Sequence, residues 1–325
     1  MPVEREQPGC PVVSCRSQYL APGTLPESVT LSRIRTVVAT EIVLLFGLLG
    51  YVGVAYAVER GAGLTTALDL SPPGALVISA VPALLWLAYF YVQDRYEPEP
   101  VHYVVGVYLL GCLVAGPLSG VLIELLLTPR PLTIQTVHPL SFERIVRALL
   151  IVALAQELCK YVVVRYTVYL SPEFDEPMDG LVYMTAAGIG VATWKNYHYL
   201  DGLAGNVFLT FGAAKAVITT LADACFAGVM GYAMGRAKFS SLSSGYRSAI
   251  LFAGLLLATG LNGLFQTVEN AITAAGMDME PWRALAYTAL FAAAVFFATS
   301  LLMRGLLMRS PFRPSIGSAE IGSEE

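Results

Sequence analysis

Eight apolar runs, at roughly 37–58, 74–93, 103–127, 143–170, 178–200, 207–235, 247–268 and 284–308, recur along the 325-residue chain. Each is near or above the length of about 20 residues that a helix needs to cross the hydrocarbon core of a bilayer. Lipid offers no partners to backbone N–H and C=O groups, so such segments fold as helices that satisfy those groups internally. The sequence therefore predicts an all-α, polytopic membrane protein of about eight transmembrane helices. Composition agrees. The chain is 56% hydrophobic and only 14% charged, where a soluble domain carries about 25% charge, and its mean hydropathy is +0.63. The run at 143–170 is the most interrupted, by Arg147, Glu157, Lys160 and Arg165.

The distribution of Lys and Arg sets the orientation. With the N-terminus inside, twelve of the 20 basic residues fall on the cytoplasmic side and five outside, while Lys160, Lys195 and Lys215 lie within spans. Positive charge concentrates on the cytoplasmic side of membrane proteins, so both termini are expected there. The chain divides into a disordered cytoplasmic tail (1–36), a transmembrane helical domain (37–308) and a second disordered tail (309–325). No apolar stretch precedes about Val37, so no cleavable signal peptide is expected and the first span stays as an anchor. A net charge of −4 argues against a nucleic-acid partner, and the five cysteines form no CxxC pair, which removes a zinc ribbon or a disulfide framework. The partner that composition does imply is the lipid bilayer.

Charged residues inside spans cost several kcal/mol by insertion scales and therefore face the bundle interior, where they pair or serve a function. Four groups stand out: Gln156, Glu157 and Lys160; Lys195 with Asn196 and His198; Lys215 and Asp223; and Asn262 with Gln266. A helical rise of 1.5 Å per residue places Glu157, Lys195, Asp223 and Asn262 roughly 18 to 25 Å from the cytoplasmic end of their spans. Four helices thus bring polar side chains to a similar depth. Local readings compete with a shared cluster. Glu157 and Lys160 can pair as i and i+3 on one helix. Lys195 can snorkel to the outer interface. Asn262 and Gln266 can make plain interhelical hydrogen bonds. Gly188, Gly190, Gly231 and Gly235 read as close helix packing, and Tyr51, Tyr56, Trp86, Tyr89, Tyr91 and Tyr199 as an interfacial aromatic belt.

The segments "DRYEPEP" (94–100), "AQELCKYVVVRY", "SPEFDEPMDGLVYMTAAGIGVATWKNYHYL" and "GVMGYAMGRAKF" resemble the PrsW family of intramembrane proteases, a relative of the CAAX-processing-type membrane proteases. The resemblance covers about residues 80 to 270. It implies a PrsW-like helical domain in a bacterial cytoplasmic membrane, metalloprotease chemistry, and single-span, membrane-anchored proteins such as anti-sigma factors as substrates or clients. At the positions where that family carries its chemistry the chain departs. The E-E-x-x-K pattern falls on Gln156, Glu157 and Lys160, and the glutamate of "ATxEN" falls on Lys195, with Asn196 retained. An arginine and a histidine eight residues apart fall on Lys215 and Asp223, and a final histidine and acid fall on Asn262 and Gln266.

Zinc takes imidazole, thiolate or carboxylate ligands. With the histidines replaced, no metal or other cofactor is expected. Lys195 and Lys160 are expected to stand where a metal's positive charge was needed, neutralising Glu157 and Asp223. The leading reading is a PrsW homologue degenerate at its metal and catalytic site that still binds membrane-anchored proteins. An alternative is an active intramembrane endopeptidase with Glu157 and Asp223 activating water and Lys160 beside them; zinc, if the site is active, would sit on Glu157, Asp223 and His198. A third reading, an ion-coupled transporter, lacks inverted repeats or paired broken helices. The acidic residues of "DRYEPEP" lie away from mid-membrane and receive no catalytic role.

Overall fold

The computed structural model describes residues 27–61, 71–94, 97–127, 146–201, 208–275 and 281–310. The described residues form helices and no strand: α1 (Glu27–Gly61), α2 (Pro72–Gln93), α3 (Val101–Leu110), α4 (Gly116–Leu127), α5 (Leu154–Thr167), α6 (Asp179–Asp201), α7 (Leu209–Lys238), α8 (Ser244–Ala275) and α9 (Pro281–Leu307). A π-helical turn (Gly111–Ala115) joins α3 to α4, and another (Ala148–Ala153) leads into α5. The eight apolar runs thus match eight helical passes, with α3 and α4 making one pass. The expected tail boundary at 36 moves, because α1 already begins at Glu27. Residues 1–26 and 311–325, read as disordered tails, lie outside the described residues, as do Arg95 and Tyr96 of "DRYEPEP".

Six of the passes are long and apolar enough to cross a membrane. The two that fall short, through α5 and α6, carry Glu157, Lys160 and Lys195. Polar side chains lower their hydropathy, and protein rather than lipid surrounds most of α6. From Asp179 to Thr193 every residue of α6 is buried, against α2, α3, α5 and α7. Outer helices instead present Ile42, Phe46, Leu113, Leu125 and Phe297 on their surface, as lipid-facing helices do. These features make the chain an integral membrane protein.

Small residues allow α6 its crowded position. A Cβ on Gly231 of α7 would meet the carbonyl of Gly180, and one on Gly190 would meet the carbonyl of Tyr108 on α3. Such close backbone approach is how helices associate where apolar burial adds little.

Several aromatic residues read as interfacial are core instead. Trp86 and Tyr89 are buried with Phe90 against Phe296, and the Trp86 indole donates to the carbonyl of Val217 at 3.3 Å. Tyr51 has a more specific place. Pro82 inside α2 has no N–H for the carbonyl of Ile78 four residues earlier, and the Tyr51 hydroxyl of α1 donates to that carbonyl at 2.7 Å. Tyr51→Phe should therefore lower stability by about 1 kcal/mol, whereas Tyr56→Phe, at an exposed tyrosine, should be neutral; denaturation midpoints in detergent check both.

Opposite ends of the bundle are closed by carboxylates. Glu59 at the end of α1 accepts hydrogen bonds from the Thr210 N–H and hydroxyl at 2.8 Å each, capping the start of α7. At the other end Ser310, just after α9, donates to Glu176 in the segment between α5 and α6.

Candidate functional site

Helices α5, α6, α7 and α8 meet around Lys160, whose side chain has no solvent exposure. Its ammonium lies 2.8 Å from Glu157 Oε1 and 2.9 Å from Asp223 Oδ1. Lys195 reaches from α6 to Asp223 Oδ2 at 2.8 Å, with its side chain 24% exposed. From α8 the Asn262 amide donates to Glu157 Oε1 at 2.7 Å and to Gln156 Oε1 at 3.1 Å. Gln266 donates to Gln156 Oε1 at 3.2 Å and to Asn262 Oδ1 at 2.8 Å. The four side chains expected at a similar depth, Glu157, Lys195, Asp223 and Asn262, thus join Gln156, Lys160 and Gln266 in one hydrogen-bonded network of two carboxylates, two ammonium groups and three amides.

The i, i+3 pairing of Glu157 with Lys160 is real and is also one edge of the shared cluster. Lys195 spans helices and does not snorkel. Asn196 forms a second joint between the same two helices: its Oδ1 accepts from Thr219 at 2.6 Å and its Nδ2 donates to Thr220 at 3.2 Å. Two other sequence candidates lie elsewhere. Lys215 pairs with Glu269 at 2.6 Å and stacks its ammonium over Tyr199. His198 packs its ring on Trp194 and Tyr197 beside an apolar cavity of about 550 Å³ between α2, the π-helical turn Gly111–Ala115, α4 and α6. It does not join Glu157 and Asp223, because its side of α6 lines that cavity instead.

As a zinc centre the network is a poor fit. Both oxygens of Asp223 and one of Glu157 already accept charged or amide donors, leaving Glu157 Oε2 as the carboxylate oxygen here with no donor. Zinc needs about four N, S or O ligands near 2.0 to 2.3 Å. An ammonium stands between the two carboxylates, no imidazole or thiolate of the described residues joins the network, and a dication would be repelled by both lysines.

A second cluster, given no role on sequence grounds, gathers at the end of the bundle that carries Ser310. Asp94 at the C-terminus of α2, Glu99 before α3, Glu176 and Asp179 at the start of α6 are all buried. One oxygen each of Asp94, Glu99 and Asp179 lies within 4.8 Å of the others. Burial and the neighbouring acids, Glu176 first, hold the Asp94 carboxyl up at about 9. Burial raises Glu99 to about 7 against the hydrogen bond that it accepts from the Tyr183 hydroxyl. The sequence signal was available in "DRYEPEP" and "FDEPMDG", two acid- and proline-rich loops on the same face; what it lacked was any sign that the loops pack on each other.

Comparisons with known proteins bear on both clusters. The PrsW family intramembrane metalloprotease profile matches residues 99–279, more than half of the chain. Protease PrsW of Geobacillus kaustophilus is 34% identical over 184 residues, covering 57% of this chain and 74% of that protein. Protease PrsW of Bacillus subtilis is 28% identical over 199 residues, 61% of this chain and 84% of that protein. Protease PrsW of Clostridioides difficile is 26% identical over 192 residues, 59% and 77% respectively. No solved structure matches. The matched stretch contains α3 to α8, and with them every residue of the mid-membrane network, so that the chain belongs to the PrsW family of intramembrane metalloproteases.

Proposed function

We propose that this protein acts in a bacterial cytoplasmic membrane as a PrsW-family member that no longer hydrolyses peptide bonds and instead holds single-span, membrane-anchored proteins. The observation that carries the reading is the double ion pair on Asp223, whose two oxygens are taken by Lys160 and Lys195. A carboxylate so occupied gives each of its oxygens to an ammonium and carries two positive charges where a metal would bind, which disfavours metal-assisted hydrolysis. The relatives are named proteases; this chain keeps their scaffold and carries lysine and amide groups where the family resemblance expects a metal's ligands.

The test combines metal analysis with cleavage. Purified full-length protein should hold well under one zinc per chain and leave a co-reconstituted single-span anti-sigma-factor-like protein intact while co-purifying with it. The variant Gln156→Glu, Lys195→Glu, Asp223→His, Asn262→His should approach one zinc per chain. Stoichiometric zinc in the unaltered protein that disappears in Glu157→Ala, together with cleavage, would overturn the reading.

A further inference from the structure

We propose that the buried acidic cluster of Asp94, Glu99, Glu176 and Asp179 is a binding site for a hard divalent cation, Ca²⁺ or Mg²⁺, that clamps one end of the helical bundle. It lies about 24 Å from the mid-membrane network along α6, counted from Asp179 to Lys195, and does not depend on how that network is read.

The first observation is geometric. The three oxygens of Asp94, Glu99 and Asp179 fall within 4.8 Å of one another. That separation fits oxygens arranged about one ion at Ca²⁺ distances of about 2.3 to 2.6 Å. The second is a set of oxygens that nothing satisfies. Glu176 has no exposure, sits within hydrogen-bonding reach of Asp94, and uses Oε2 to accept from Ser310 while Oε1 has no donor. Asp179 accepts from the Glu176 N–H at 2.7 Å through Oδ2 and leaves Oδ1 without a donor. Asp94, 2% exposed, has no donor on either oxygen. Four of the seven buried side-chain oxygens without a partner among the described residues therefore lie together in this cluster, whereas buried polar groups are as a rule paired.

Neighbouring charge does not relieve them. Glu97, Glu173 and Asp175 add further negative field. The facing cation, Lys238, directs its ammonium to the carbonyls of Tyr169 and Phe174 at 2.7 and 2.6 Å. Among the described residues, the donors to the four acids are neutral: one backbone N–H and two hydroxyls. An oxygen-only set selects a hard cation over zinc, and Ca²⁺ tolerates the irregular geometry of loop carboxylates better than Mg²⁺. Bound there, the ion would join α2, the loop before α3, the segment before α6 and, through Ser310, the end of α9.

Full-length protein in detergent, stripped with a chelator, supplies the test. Ca²⁺ or Mg²⁺ should raise its denaturation midpoint saturably by several degrees, with equal ionic strength of NaCl inert and the two ions separated by their half-saturating concentrations. Tb³⁺ should luminesce through Tyr183 and be displaced by the tighter ion. Asp94→Asn and Glu176→Gln should each raise the half-saturating concentration at least tenfold. A midpoint that no divalent ion moves would overturn the proposal. A response to zinc alone, or one that both variants leave unchanged, would overturn it as well.

Discussion

Lys160→Met should cost about 3 to 5 kcal/mol, the usual loss when one partner of a buried ion pair is truncated. Lys160 is fully buried and serves two carboxylates at once. Removing it leaves Glu157 with an amide donor and Asp223 with Lys195, and one negative charge too many in a low-dielectric interior. Lys195→Met should cost less, because its side chain is 24% exposed and water can reach the gap. Rescue gives the decisive measurement. Lys160→Met with Glu157→Gln, and Lys195→Met with Asp223→Asn, each restore charge balance. Each double variant should recover much of the stability lost by its lysine single, since contacting residues are non-additive whereas separated ones add within about 0.5 kcal/mol. Denaturation midpoints of the four singles and two doubles in detergent would show it. Simple additivity would break the link between these residues.

Gly188→Val should be nearly as damaging, at about 3 kcal/mol, near the top of the usual range for overpacking. A Cβ at Gly188 would lie 2.6 Å from the carbonyl of Asp223 and 2.7 Å from the Cβ of Ala227. Backbone cannot yield as a flexible side chain can, so α7 would have to move away from α6. That movement carries the Asp223 carboxylate away from Lys195, which predicts a second effect beyond lost stability: in a Gly188→Val background, Lys195→Met should add little further loss. A full additional loss from Lys195→Met would show that the glycine contact and the ion pair are independent. Gly245, where a Cβ meets nothing within 4 Å, supplies the control substitution.

The mid-membrane network was legible because lipid makes polar side chains conspicuous. A lysine such as Lys195 in an otherwise apolar pass needs a partner, and helical rise alone put Asp223 and Asn262 within its reach in depth. Depth does not give rotation about the helix axis. That is why Lys215, on the same helix as Asp223, turned out to face Glu269, and why His198, one turn from Lys195, faces a different cavity. The acidic cluster was illegible for the opposite reason. Carboxylates in proline-rich turns read as solvated, and the burial of Asp94 and Glu99 comes from loops that meet only through contacts some 84 and 134 residues apart in sequence, as in Tyr183 with Glu99 and Ser310 with Glu176. Tyr51 was misplaced because its partner is a carbonyl freed by Pro82, a backbone vacancy that no side-chain pattern records.

The mid-membrane network also has a bearing on how the protein experiences a charged membrane. Glu157 and Asp223 against Lys160 and Lys195 sum to zero formal charge within one connected group. A charge crossing the whole bilayer exchanges about 2.3 kcal/mol with each 100 mV of transmembrane potential. Displacement of a neutral group along the membrane normal exchanges almost none. Any displacement of this group as a unit would therefore couple little to the transmembrane potential, and a substitution that unbalances it by one charge would add such a coupling.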